Sequence, residues 1–566
     1  MADARPHSSL RRPSSLRDRP DLILLVVASA VSLVLGGLLA VRAIWWAPLN
    51  VDEELTRRVG TEPFGAIFHI VSSERGGGPF HFWLEHFTLQ WPGGLVGLRG
   101  PSLVFFLAAL PAVALVALEL TDAVTASLAV LLTAAAPLAI SSATFGRPHA
   151  MLLLWLEWGT WLGLRAVRTR RARDWMLAGA VLGSSVFVHP TAPVYSLTAF
   201  AAVLIYARRT PLALAREAWP GVVALIVTFL PYYASTLGVL AERYGIGTGA
   251  SGRTFSGRGV WHDALAALAP GAHVKWPALG LAVAGLLVLA ATRRVRTALA
   301  LAAIVLTPVA FFSLVPTKGL SAIFFDRYVL PPLPSFLLLI AVACTTVAGW
   351  ARRARLPVIA VFSAGLVFVE AHVVYVRQHQ LSRIELGALT TFVRGESRGA
   401  VMFGSTGSED PSGYLGDLTF GRGPYLLDRY LGLRIGSLDV VDDDTCLPVV
   451  PFLATAAPPR RGLWIFYVAP QDDLDAARTA LSVRGVTVAN PVRRMLVVRS
   501  APLGPRALVT LGLELRRRWH AVIKDNPRVS DLIGADSQAL HDPAACKGHG
   551  FLNDPDISPN WPESLT

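Results

Sequence analysis

Apolar residues run along this chain in long uninterrupted blocks separated by short polar joints. The first block runs from Leu22 to about Ala47. Others lie near 101–119, 122–140, 149–165, 175–189, 193–207, 219–237, 276–292, 297–315, 328–350 and 356–377. A helix rises about 1.5 Å per residue and a bilayer's hydrocarbon core is about 30 Å thick, so the blocks predict about eleven membrane-crossing helices. A secretory leader has an apolar core of only about 7–15 residues and a small-residue cut site. The first block is longer and has no such site, so it reads as a retained helix.

The joints carry a second pattern. Joints following even-numbered blocks read "TD", "RAVRTRRARD", "ARRTPLALARE", "TRRVR" and "ARRAR"; all but the first are rich in arginine. The opposite joints, such as "SSATFGRPH" and "HPTAP", are far less basic. Basic loops stay in the cytoplasm. The alternation therefore predicts a cytoplasmic N-terminus, an outer first loop over 48–100, and an outer position for everything beyond residue 378.

Within the first loop, "EPFGAIFHIVSS" and "GPFHFWLEHFTLQW" place apolar and aromatic residues at helical spacing. They predict short interfacial helices joined at Gly76-Gly77-Gly78-Pro79. Beyond the last block, "GAVMFGS", "LWIFYVA", "VTVANP" and "MLVVRS" are strand-like runs bounded by turns. "DDLDAARTALSVRG" is a helix with an acidic start and a glycine stop. The expected fold is an α-helical polytopic membrane protein with a small extracytoplasmic α/β domain at the C-terminus. Its expected parts are a disordered basic segment 1–20, a transmembrane module 21–380, an outer domain 381–505, and an amphipathic helix with a polar tail over 506–566.

Composition agrees. The 566 residues are 53% hydrophobic and 16% charged, against about 25% charged in soluble domains. The net charge of +13 lies mostly in the arginine joints, so it reflects topology and not nucleic-acid binding. Of three cysteines, Cys344 sits in an apolar block. Cys446 and Cys546 lie in the outer part, as a disulfide or as two free thiols. No cysteine or histidine spacing indicates a structural metal.

Ionisable residues gather at the outer ends of the blocks. Asp52 and Glu53 end the first, in "NVDEELTRR". Arg147 and His149 open the fourth, His189 ends the fifth, and Asp326, Arg327 and Tyr328 open the tenth. Charges near membrane depth are costly and usually face a cavity and a partner. Each residue also has a plainer reading. Asp52 and Glu53 can form a local salt-bridge cluster with Arg57 and Arg58. Arg147 can snorkel to headgroups, and Asp326 can pair with Arg327. His189 can cap its short loop. Glu85 and His86 read as interfacial structure, and Lys318 as a solvated charge. The stretch 247–259 is glycine-rich but lacks the Gly-Lys-Ser/Thr ending of a nucleotide loop. It reads as a mobile loop, with Arg253 and Arg258 available to a lipid phosphate if it acts as a lid.

The joint order of these features resembles the GT-C membrane glycosyltransferases, in particular the protein O-mannosyltransferase and aminoarabinose-transferase branch. The Asp-Glu pair follows the first span, the first outer loop is long, "GRPHA" looks like the family's "ARPYA", and "DRYVLPPLP" looks like "RYLLPALP". The chain departs from that branch in "DEELTRR", where a His or Tyr often follows the pair. The resemblance, over roughly residues 20 to 380, implies a polyprenyl-phosphate sugar donor and a cell-envelope acceptor, whether glycan, lipid or protein. It implies Asp52 as the catalytic base, with Glu53 beside it. Arg58, Arg147 and Arg327 would hold the donor phosphate, and His149, His189 and Tyr328 would contact substrate. It implies no nucleotide; some branches of the family use a divalent ion held by acidic residues, and this chain has too few outer carboxylates close together to favour one. The rival expectations are a transporter or lipid flippase, which usually shows paired repeats, and a non-catalytic scaffold with an outer ligand-binding domain.

Overall fold

The computed structural model describes residues 20–46, 51–75, 78–91, 95–243, 257–269, 274–314, 326–350, 361, 364–374, 388, 391–392, 395–396, 400–404, 439–442, 458–468 and 473–522. The segment 1–19, the glycines Gly76 and Gly77, Arg253, Lys318, Cys446, Cys546 and the polar tail lie outside them. The chain divides into two compact units. One comprises Met1–Ile44 with Val59–Arg377, the other Trp45–Arg58 with Gln378–Thr566.

The first unit is helical. It contains most of α1 (Pro20–Trp46), then the part of the first loop from Val59 onward, then a run of longer helices. These are α5 (Leu95–Leu120), α6 (Ala123–Ala135), α7 (Pro137–Ala143), α8 (His149–Thr169), α9 (Ala172–Ser184), α10 (Ala192–Tyr206), α11 (Pro211–Arg243), α12 (Gly257–Leu268), α13 (Lys275–Ala291), α14 (Val295–Leu314) and α15 (Leu333–Trp350). A short apolar helix, α16, spans Ala364–Val374. Among the described residues, five helices are long and apolar enough to cross a membrane: α1, α5, α11, α14 and α15. The pair α6 and α7 makes a sixth if taken as one span bent by 57°. Pro137 explains the bend. It offers no N–H to the helical ladder, and Ala136 before it is pushed to ψ 129°.

The expected count of about eleven is thus supported only in part. Each predicted block overlaps at least one helix among the described residues, but α10, α13 and α16 are shorter than a span. The helix α9 has 13 residues, which rise only about 20 Å. The helix α8 has 21 residues but carries Glu157, Arg165 and Arg168. Helix contacts are close where glycine allows it. A Cβ at Gly179 on α9 would lie 1.9 Å from the Gly221 carbonyl of α11, and one at Gly285 on α13 would lie 1.9 Å from the Leu339 carbonyl of α15. Small residues let helix backbones approach in this way.

The first loop forms α2 (Val51–Thr61), α3 (Phe64–His69) with a π-turn over Ile70–Arg75, and α4 (Pro79–Thr88). Asp52 and Glu53 do not end the first span; they lie on α2, a separate helix. Pro48, which lacks an amide donor, falls in the sequence between α1 and α2.

The second unit holds a five-stranded sheet in the order β2-β1-β3-β5-β4. Its strands are β1 (Ala400–Gly404), β2 (Asp439–Asp442), β3 (Arg461–Tyr467), β4 (Val486–Val492) and β5 (Met495–Ser500). The strand β1 runs parallel to β2 and β3, while β5 runs antiparallel to β3 and β4. Helix α17 (Leu474–Leu481) is capped by Asp473, whose side chain accepts from the amides of Asp475 and Ala476. Leu481 of α17, and Leu508 and Trp519 of α18 (Pro505–Val522), pack with Trp464, Phe466, Leu496 and Val498 of the sheet.

Candidate active site

The polar residues of the first unit converge through three turns. The first, Thr144–Pro148, joins α7 to α8. Gly146 is needed there, because a Cβ would lie 2.7 Å from the Leu98 side chain and 3.0 Å from its carbonyl. Successive carbonyls of the turn are each held. Phe145 accepts from the Arg147 amide at 2.7 Å. Gly146 accepts from His81 Nε2 at 3.2 Å. Arg147 accepts from the Ser102 hydroxyl at 3.2 Å. The Arg147 side chain therefore leaves from a pinned backbone, and Pro148-His149 starts α8 directly after it.

The second turn follows α9 through a 3-10 segment, Ser185–Phe187, and carries His189. The Thr191 amide donates to His189 Nδ1 at 3.2 Å. Nδ1 is thus an acceptor, and the ring proton sits on Nε2. Tyr233 donates to the Pro190 carbonyl and ties this turn to α11. The third turn is a 3-10 segment over Asp326–Val329. The Tyr195 hydroxyl of α10 donates to the Tyr328 carbonyl at 2.6 Å.

The rings carried by these turns meet. His149 and His189 lie 5.2 Å apart between centroids, His189 and Tyr328 5.8 Å, and His149 and Tyr328 6.2 Å. Phe145 lies parallel to His149 at 6.4 Å. The Arg327 guanidinium sits 5.4 Å from the Phe145 ring centre, within range of a cation–π attraction. Arg147 and Arg327 both lie close enough for their charges to act on His149. The result is a cation-rich, aromatic-walled cluster at adjoining helix ends. Two guanidiniums in such a setting suit an anion, since each presents a fork of donors to oxygens.

Helix α4 braces this cluster, and the sequence reading did not single out the residue responsible. His81 is fully buried. To donate to Gly146 it carries its proton on Nε2, and Nδ1 is buried without a hydrogen-bond partner. Burial pushes its pKa down to about 3; the bond to Gly146 works against that, and the charge of Arg147 adds to it. The neutral ring therefore meets Glu85, 3.7 Å away, as a polar contact and not as an ion pair. Thr88 donates to the second Glu85 oxygen at 3.4 Å. His86 meets the Gly60 carbonyl at 3.0 Å through Nδ1. Glu85 and His86 are thus structural contacts here. At the start of α4, a Cβ on Gly78 would lie 2.4 Å from the Val188 carbonyl oxygen, so α4 presses on the second turn as well. The His81/Glu85 spacing of four, on one helix face, was the available sequence signal.

Of the sequence candidates, the structure brings together Arg147, His149, His189, Arg327 and Tyr328. Asp52, Glu53 and Arg58 belong to the other compact unit. Asp52 and Arg58 are placed on α2 by their backbone alone, while Glu53 is fully buried. Among the described residues, no three His, Cys, Asp or Glu side chains gather as a metal site.

Residues 77–234 match the family of dolichyl-phosphate-mannose-protein mannosyltransferases. No curated protein matches the chain. Among solved structures, ArnT from Cupriavidus metallidurans in the apo state is similar at 16% identity with a TM-score of 0.49, covering 85% of this chain and 99% of that one. The same protein bound to undecaprenyl phosphate is similar at 15% identity, TM-score 0.49, with the same coverage. The archaeal oligosaccharyltransferase AglB from Archaeoglobus fulgidus, in complex with an inhibitory peptide and a dolichol-phosphate, is similar at 15% identity. Its TM-score is 0.43, over 70% of this chain and 59% of that one. The matched segment 77–234 holds α4 and the turns bearing Arg147 and His189, and through it the chain resembles the GT-C membrane glycosyltransferases.

Proposed function

We propose that this chain is a membrane glycosyltransferase that moves a sugar from a polyprenyl-phosphate donor to a hydroxyl of a cell-envelope acceptor, on the outer face of the cell membrane. The convergence of Arg147 and Arg327 with His149, His189 and Tyr328 carries the reading. The family match over residues 77–234 supports it.

In this reading Asp52 takes the proton from the acceptor hydroxyl. The acceptor oxygen then bonds to the anomeric carbon, and the bond from that carbon to the donor phosphate oxygen breaks. Polyprenyl phosphate leaves with the electron pair, and Arg147, Arg327 and Arg58 stabilise its charge. Glu53 supports Asp52, and His149, His189 and Tyr328 orient the sugar. No nucleotide, metal or other cofactor enters the scheme.

The test is to incubate the purified full chain with a panel of polyprenyl-phosphate sugars and to follow release of polyprenyl phosphate. At least one donor turns over, and Asp52→Asn lowers turnover by about 10²–10⁴-fold in a protein that still inserts. No turnover with any donor overturns the reading in favour of a transporter or a scaffold.

A further inference from the structure

A second pocket, lined by residues of α5, α8, α10, α14 and the start of α15, lies away from this cluster. Its cavity has a volume of about 20 Å³, room for an occupant the size of a water molecule or a small ion. Glu157, eight residues along α8 from His149, lines it. The residue is 7% exposed, and its carboxyl makes no hydrogen bond or ion pair among the described residues. A lone buried carboxylate is costly unless a positive charge or hydrogen-bond donors meet it.

The walls of the cavity supply acceptors and almost no donors. The Thr160 hydroxyl donates to the Leu156 carbonyl at 2.7 Å, and that of Thr198 to the Val194 carbonyl at 2.6 Å. The Tyr195 hydroxyl is committed to Tyr328. Their oxygens keep lone pairs but have no hydrogen left to give. Pro308 has no N–H, so the Ile304 carbonyl one turn earlier on α14 loses its helical partner; both residues line the cavity. Of the lining hydroxyls, only that of Ser335 has an uncommitted hydrogen among the described residues. An acceptor-rich cavity with one carboxylate is complementary to an occupant of single positive charge. Oxygen-only donor sets of carboxylate, hydroxyl and freed backbone carbonyl suit hard cations.

We propose that this cavity binds a small monovalent cation, an alkali ion or a primary ammonium head, with Glu157 supplying the countercharge. The site is independent of the glycosyl-transfer reading. The experiment measures thermal unfolding of the detergent-purified full chain at constant chloride and ionic strength. Sodium, potassium and methylammonium chloride are compared with choline chloride, whose bulky head has no N–H. A saturable rise in Tm of a few degrees with sodium, potassium or methylammonium is expected, and which salt acts separates the alkali ion from the amine. The rise disappears in Glu157→Gln. No difference among the salts, or an equal rise in Glu157→Gln, overturns the proposal. If the variant does not fold, modification of wild-type Glu157 by a hydrophobic carbodiimide replaces it. The active cation should slow labelling severalfold, and labelling indifferent to every cation overturns the proposal.

Discussion

His81 Nε2 donates to the carbonyl of Gly146 at 3.2 Å, across 65 residues of sequence. The donor sits on helix α4 of the first loop, and the acceptor immediately precedes Arg147. This bond makes α4 a brace for the turn that aims Arg147, and His81 a positioning residue.

Removing the imidazole should therefore loosen Arg147 without touching substrate. His81→Ala removes this hydrogen bond from a buried carbonyl, at a cost of about 1–3 kcal/mol, and so lowers Tm. In the donor-release assay it should raise KM for the lipid donor more than it lowers kcat. A fall confined to Tm, with KM unchanged, would leave His81 a purely structural residue.

The same histidine predicts a pH dependence. Its pKa is near 6.5 in the unfolded chain and about 3 in the fold, so only the unfolded state takes up its proton between those values. The resulting stability is fully present above pH 6.5 and is lost progressively as pH falls toward 3. Melting temperatures measured from pH 7 to 4 should fall less steeply in His81→Asn than in the wild type.

Helix packing in the first unit makes two glycines of α13 unequal. A Cβ at Gly285 would lie 1.9 Å from the Leu339 carbonyl, whereas one at Gly280 meets nothing within 4 Å. Gly285→Ala should force α13 and α15 apart and cost about 3 kcal/mol or more, in the range of severe core changes. Gly280→Ala should be neutral, or stabilising by up to about 1 kcal/mol through helix propensity. Thermal unfolding of the two variants side by side checks this.

Kinetics should separate the proposed base from the proposed phosphate ligands. Asp52→Asn should lower kcat by about 10²–10⁴-fold, the usual contribution of general base catalysis. Arg147→Ala and Arg327→Ala should each weaken donor use by about tenfold or more, as loss of a charge-assisted contact of about 1.5–3 kcal/mol requires. Arg327→Lys should behave like the alanine variant, because a lysine does not reproduce the guanidinium's fork or its flat face over Phe145. An Arg327→Lys enzyme with unchanged donor KM would remove Arg327 from the phosphate site.

Much of this architecture is legible in the chain itself. The apolar blocks match helices, "MLVVRS" is β5, and "DDLDAARTALSVRG" contains α17 with its aspartate cap. Such signals are local, since one or two turns of helix or a few residues of strand display their own periodicity. The short strand β2 was not legible, because four residues, "DVVD", carry no readable alternation. Nor was the separation of α2 from α1, because an apolar run ending at about Ala47 and the acidic pair just beyond it read as one continuous end.

The candidate site divides along the same physical line. Sequence placed Arg147, His149, His189, Arg327 and Tyr328 at helix ends, because ionisable groups interrupt apolar runs only where water or a cavity can receive them. Tertiary structure decided that these ends meet, that His81 reaches Gly146, and that Asp52, Glu53 and Arg58 fall in the other compact unit. It also decided that Glu157 faces a cavity of acceptors. Those relationships join residues far apart in the chain, and they depend on how closely helices approach at Gly146, Gly179 and Gly285. Hydrophobic periodicity reports which face of a helix is buried, and carries no record of what it is buried against.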